Sequence, residues 1–295
     1  MLVVLLTALV GCGPSPAPPA HTRAPASSQG TSAPSFAQVP AADGTPIAYA
    51  TLGRGEQDVL LSHCWGGSAD LFLPAARALS DRYRFIVPDL PGHGRSGKAR
   101  RAWTVEAYAG DLETVARAAH VERPILVGHS MSGRVVVEAA LGPLAGKVRG
   151  LVFIDAFPDV DHLPSHTNQS GMMGGLRADF PAEVRRIVRA LFPPSAAEGD
   201  VERVAASILR VRPDTATAIL EENLRYPARD RLRLLSMPVW SINADLAPTN
   251  ERANQALVPG WRSLVIPRAS HWPMVDAEER FEEALSAVLE DLSSS

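Results

Sequence analysis

The stretch Ile125-Leu126-Val127-Gly128-His129-Ser130-Met131-Ser132-Gly133 decides how the whole chain is read. It opens on a short apolar run that suits a buried strand, and Val135–Leu141 just beyond has the spacing of a helix. Between them lies a turn of small residues. A serine at such a strand-to-helix turn sits on a tight elbow with its hydroxyl above the sheet. Small neighbours let the backbone take the strained conformation that this turn requires. The following helix N-terminus turns free N–H groups toward Ser130 and favours negative charge there.

Working outward, apolar runs and helical spacings alternate along the chain. Strands are expected at Val59–Ser62, Phe85–Val87, Ile125–Gly128, Leu151–Ile154, Val239–Ile242 and Leu264–Ile266. Helices are expected at Ala69–Leu79, Val105–Ala119, Val135–Leu141 and Ala277–Leu289, and Asp43-Gly44 marks an opening hairpin. Continuous apolar strands separated by helices imply an α/β fold with a mostly parallel sheet covered on both faces. Reactive groups in such sheets gather at the carboxyl ends of the strands. The segment 159–236 breaks the alternation. It holds helix-like stretches near Ala182–Leu191, Val201–Val211 and Thr215–Leu224, punctuated by prolines. It reads as a helical cap between two parts of one core, 36–158 and 237–295.

The elbow resembles the G-x-S-x-G nucleophile motif of the α/β-hydrolase family, with Ser132 in place of the last glycine. A serine hydroxyl needs an adjacent base. The stretch Ile266-Pro267-Arg268-Ala269-Ser270-His271-Trp272-Pro273 resembles the family's late histidine loop, which makes His271 that base. The family's triad acid commonly follows the strand represented here by Val239–Ile242, and this points to Asp245. The rival is Asp155, at the end of Leu151–Ile154, a position that some members use. The order Ser130, Asp245, His271 matches the family. His63-Cys64-Trp65-Gly66-Gly67 resembles its His-Gly-x-Gly loop, with Cys64 where glycine is usual. The resemblance assigns the oxyanion donors to the backbone N–H groups of Trp65 and Met131. Asp89-Leu90-Pro91-Gly92-His93-Gly94-Arg95-Ser96 resembles the family's D-x-x-G-H-G-x-S loop, which braces the floor of the site.

Relatives that cleave carbon–halogen bonds or epoxides carry aspartate at the elbow. Serine there implies acyl transfer through an acyl-enzyme, with no cofactor and no metal. The leading expectation is a carboxylesterase acting on a small or medium, largely apolar ester. The same triad also serves C–C bond hydrolysis, lactone hydrolysis, perhydrolysis and acyl transfer, and a non-catalytic surface binding protein is the reading from another class. Trp65 and Trp272, beside the expected triad, and the flexible apolar stretch Gly171-Met172-Met173-Gly174-Gly175 suggest a small apolar pocket.

The chain's start is different in kind. Residues Leu2–Val10 are almost wholly apolar but too few to span a bilayer, which needs about twenty. They fit the core of a secretory signal. Leu9-Val10-Gly11-Cys12 resembles the bacterial lipobox, which makes 1–11 a lipoprotein signal peptide and Cys12 the lipidated residue, although the usual basic residues before Leu2 are missing. Residues 12–35, rich in proline, alanine and serine, read as a tether from membrane to folded domain. This places the enzyme in the cell envelope, outside the cytoplasm. Net charge −3 gives no basic excess for nucleic acid. Two cysteines exclude a disulfide scaffold and a multi-cysteine metal centre.

Overall fold

The computed structural model describes residues 33–294 apart from 166 and 168. The signal segment 1–11, Cys12 and residues 12–32 of the expected tether lie outside the described residues.

Strands β1 (Ser35–Pro40) and β2 (Pro46–Leu52) form the opening hairpin, paired antiparallel from Ser35↔Thr51 to Pro40↔Pro46. Then come β3 (Gln57–Ser62), α1 (Leu73–Ala78), β4 (Tyr83–Pro88), α2 (Val105–Ala118), β5 (Ile125–His129), α3 (Ser132–Leu141) and β6 (Gly150–Ile154). Five helices follow: α4 (Ser170–Ala178), α5 (Phe180–Ala190), α6 (Glu198–Leu209), α7 (Pro213–Arg225) and α8 (Ala228–Leu232). The chain returns to the sheet with β7 (Val239–Ala244), α9 (Glu251–Leu257) and β8 (Arg262–Ile266), and ends in α10 (Pro273–Asp276) and α11 (Glu278–Ser294).

The eight strands lie in the order β1-β2-β4-β3-β5-β6-β7-β8. All neighbours from β4 to β8 are parallel, and β2 runs against both of its neighbours. β5 and β6 are buried along their whole length, which explains why they read as unbroken apolar runs instead of alternating ones. The neighbours β6 and β7 carry Asp155 and Asp245 just beyond their carboxyl ends, with Ile154 opposite Ile242.

The expected helix Ala69–Leu79 divides into a single 3-10 turn at Ala69–Leu71 and the short α1, because Pro74 starts a new first turn. The stretch Gly171–Gly175, expected to be flexible, lies inside α4. Met173 and Leu176 stand one turn apart and are both buried, so packing outweighs the low helical preference of the glycines.

Candidate active site

Ser130 stands one residue past β5 with φ = 53°, in the left-handed region that a non-glycine residue rarely enters. Its own N–H donates to Ile154 O at 2.9 Å, and its carbonyl accepts Gly133 N–H at 2.9 Å. The turn is tight enough that a Cβ at Gly128 would lie 2.4 Å from Ser132 O. Ser132, in the place where glycine is usual, has a task of its own. Its hydroxyl donates to His63 O at 2.5 Å and lies 3.0 Å from the Ser62 hydroxyl. The extra oxygen therefore ties the elbow to the end of β3, directly below the loop that carries Trp65.

The acid beside His271 is Asp155. Its Oδ2 lies 2.5 Å from His271 Nδ1, and its Oδ1 accepts Ala244 N–H at 3.0 Å. Asp245 does not meet His271. It is exposed, and its Oδ1 accepts Arg268 N–H at 2.7 Å, closing the turn that leads into the histidine loop. The physical reason is the length of β7. The strand continues through Ala244, so Asp245 leaves the sheet one residue later, at the surface. Asp155, at φ = 43°, turns back over the strand ends and takes the Ala244 N–H instead.

His271 is held at both ends of its residue. Its N–H donates to Leu191 O at 3.0 Å, and its carbonyl accepts His129 Nε2–H at 2.8 Å. The next residues are stapled by Asp276, whose carboxylate takes both the N–H and the hydroxyl of Ser270 at 2.9 Å. Burial pushes the Asp276 carboxyl above its usual range, against the pull of these two bonds. Among the described residues nothing bonds to His271 Nε2, which leaves that nitrogen to face a reacting group.

Three further imidazoles form the floor, and all are fully buried. His63 accepts Leu90 N–H on Nε2 at 2.9 Å and donates from Nδ1 to Cys64 O at 2.8 Å, so it is the neutral Nδ1–H tautomer. Burial lowers its basicity, with Asp89 opposing. Burial holds His93 and His129 well below the usual histidine range, and the neighbouring His63 and His271, respectively, add to the effect. Asp89 anchors the loop above them by accepting Ala69 N–H at 2.6 Å and Arg95 N–H at 2.7 Å.

Trp65 and Met131 are both buried, and among the described residues neither backbone N–H has an acceptor. A buried amide without a partner is costly, and such donors commonly await a ligand. The Trp65 and Trp272 side chains are structural and do not form an open apolar wall. Trp65 Nε1 donates to Ala216 O at 2.8 Å, and its ring meets Phe180 edge to face. Trp272 stacks on Phe192 with centroids 5.3 Å apart, and its Nε1 lies 3.3 Å from Cys64 Sγ. That contact gives the unusual cysteine a partner. Burial pushes the Cys64 thiol up to about 12, where it stays protonated and unreactive at neutral pH. Among the described residues no group of three or more His, Cys, Asp or Glu side chains could hold a metal ion.

A mostly parallel sheet, a left-handed serine after β5 and a carboxylate-bound histidine after β8 define the class. A sequence profile of the alpha/beta hydrolase fold matches residues 59–266, and the chain belongs to that family. Pimeloyl-[acyl-carrier protein] methyl ester esterase of Edwardsiella ictaluri is 29% identical over 254 residues, covering 80% of this chain and 94% of that one. The enzyme of the same name from Vibrio cholerae is 29% identical over 252 residues, covering 78% and 92%. Among solved structures, bromoperoxidase from Bacillus anthracis superposes with a TM-score of 0.78 at 20% identity, covering 87% of this chain and all of that one. A thermophilic esterase from Thermogutta terrifontis gives 0.76 at 24% identity, covering 88% and 99%. The chain is thus an enzyme of this hydrolase family, similar to esterases.

Proposed function

We propose that the protein hydrolyses carboxylic esters through an acyl-enzyme on Ser130. The observation that carries this reading is the Asp155–His271 hydrogen bond of 2.5 Å, which fixes the imidazole with Nδ1 protonated and Nε2 free to act as base. In the proposed cycle, His271 Nε2 takes the Ser130 proton as the hydroxyl oxygen attacks the ester carbonyl. The N–H groups of Trp65 and Met131 receive the oxyanion, and Asp155 stabilises the imidazolium. His271 then protonates the departing alcohol. Water, activated by the same nitrogen, releases the acid. The named activity of the esterase relatives supports an ester as substrate. The proposed substrate is an ester with a small or medium, largely apolar acyl group.

The envelope location belongs to the same proposal. In this reading 1–11 is a signal peptide, Cys12 carries the lipid, 12–35 is the tether, whose last residue Ser35 already opens β1, and 159–236 is a cap on the core. Several acyl chains on one cysteine hold firmly, because each buried methylene contributes about 0.8 kcal/mol. Two experiments test these statements. Purified protein releases p-nitrophenol from short acyl esters, and Ser130→Ala reduces this to background; equal rates would refute the serine mechanism. Cells fed a labelled fatty-acid analogue incorporate it into the wild type but not into Cys12→Ser; label retained by the variant would refute anchoring at that residue.

A further inference from the structure

Among the described residues, four hydrogen bonds join the cap segment to the loops that carry chemistry. His271 N–H reaches Leu191 O at 3.0 Å, and the Ser207 hydroxyl reaches Gly66 O at 3.0 Å. The other two start from α7. Ala216 O accepts Trp65 Nε1–H at 2.8 Å, and Asn223 Nδ2 donates to Met131 O at 3.0 Å. Ala216 and Asn223 are seven residues apart, two helical turns, and so share one face of α7. One capping helix therefore touches both residues whose N–H groups are assigned to the oxyanion.

We propose that Asn223 is a positioning residue for catalysis, and that α7 holds the oxyanion site in shape. The proposal rests on the serine mechanism above. Asn223 is buried at 4% exposure, and a backbone carbonyl can only accept, so the amide must present its NH2 to Met131. Met131 O also accepts Arg134 N–H, at 3.2 Å. Met131 sits between the strained Ser130 and the first turn of α3, where no side chain caps the helix. The clamp on its carbonyl fixes the residue's dihedrals and, with them, the direction of its N–H. That N–H gains an acceptor only when the carbonyl oxygen of the substrate becomes charged. Misdirecting it therefore raises the barrier without weakening substrate binding, so the loss appears in kcat and not in KM.

The test uses Asn223→Leu, which removes the donor at similar volume, and Asn223→Ala, which removes it without adding bulk. Both variants are assayed on an ester that the wild type cleaves, and with a trifluoromethyl ketone that mimics the tetrahedral adduct. The expected result is a fall in kcat of about 10- to 100-fold, with KM within about twofold and inhibitor affinity weakened by the same factor as kcat. Asn223→Ala carries the test if Asn223→Leu does not fold. A folded variant with wild-type kcat, or one whose loss lies in KM alone, overturns the proposal. An inactive wild type would instead overturn the serine mechanism itself, so the two failures are distinct.

Discussion

Replacing Asp155 with asparagine puts the assignment of the acid to its sharpest trial, because the structure dictates how the new amide must sit. Ala244 N–H points at Oδ1 and needs an acceptor, so the asparagine must place its oxygen there. Its NH2 then faces His271 Nδ1, where a carboxylate oxygen had been. Two donors cannot share that contact. His271 must become the acceptor at Nδ1 and carry its proton on Nε2, the nitrogen that should receive the proton of Ser130. The variant keeps its shape and holds the wrong tautomer. In serine enzymes this change lowers kcat by about four orders of magnitude, about 5.4 kcal/mol of barrier. Stopped and steady-state ester hydrolysis should show this loss with little change in thermal stability. Asp245→Asn, exposed and still able to accept Arg268 N–H, should stay within about twofold of wild type. A crippled Asp245→Asn beside an active Asp155→Asn would refute the reasoning.

Other consequences follow from the floor of the site. Ser132→Ala removes a buried donor from His63 O and should cost about 1–2 kcal/mol in chemical denaturation, whereas an unchanged midpoint would deny the hydroxyl its bracing role. His63, His93 and His129 are buried with lowered proton affinity, while the unfolded chain binds protons on them near pH 6.5. Stability is therefore full above about 6.5 and falls below it until the lower folded values are reached. The three losses add, because each site takes up its proton only on unfolding. His93→Gln should shrink that pH-dependent loss, and an unchanged slope would contradict a neutral buried His93. Cys64, buried and shifted up to about 12, should resist iodoacetamide at pH 8 until denaturant is added, so prompt alkylation of the native protein would show the loop to be open.

The elbow, the histidine loop and the parallel core were legible because each is local. An apolar run, small residues in a turn and a late histidine after a strand are patterns within about ten residues. The acid was not, because it depends on register between neighbours. Asp155 and Asp245 both follow strands that lie side by side, and only the extra length of β7 decides which carboxylate looks inward. No motif shows where a strand will end. Ser132 stood out in the sequence only as a departure from glycine, and its bond to His63 O joins residues 69 positions apart. Asn223 gave no signal at all. It sits in an ordinary amphipathic helix and acquires its role when that helix crosses the elbow. The tryptophans were found in the right loops, but their direction was set by partners on α7 and at Cys64 that sequence spacing does not reveal.

The central claim is that Ser130 is a nucleophile activated through His271. It is tested most directly by treating the folded protein with a fluorophosphonate, digesting it and locating the adduct by mass spectrometry. The account predicts one phosphonyl group per chain, on the peptide bearing Ser130, formed rapidly in the wild type and lost in Ser130→Ala and His271→Ala. An unlabelled wild type, or an adduct that persists when Ser130 is replaced, would contradict it.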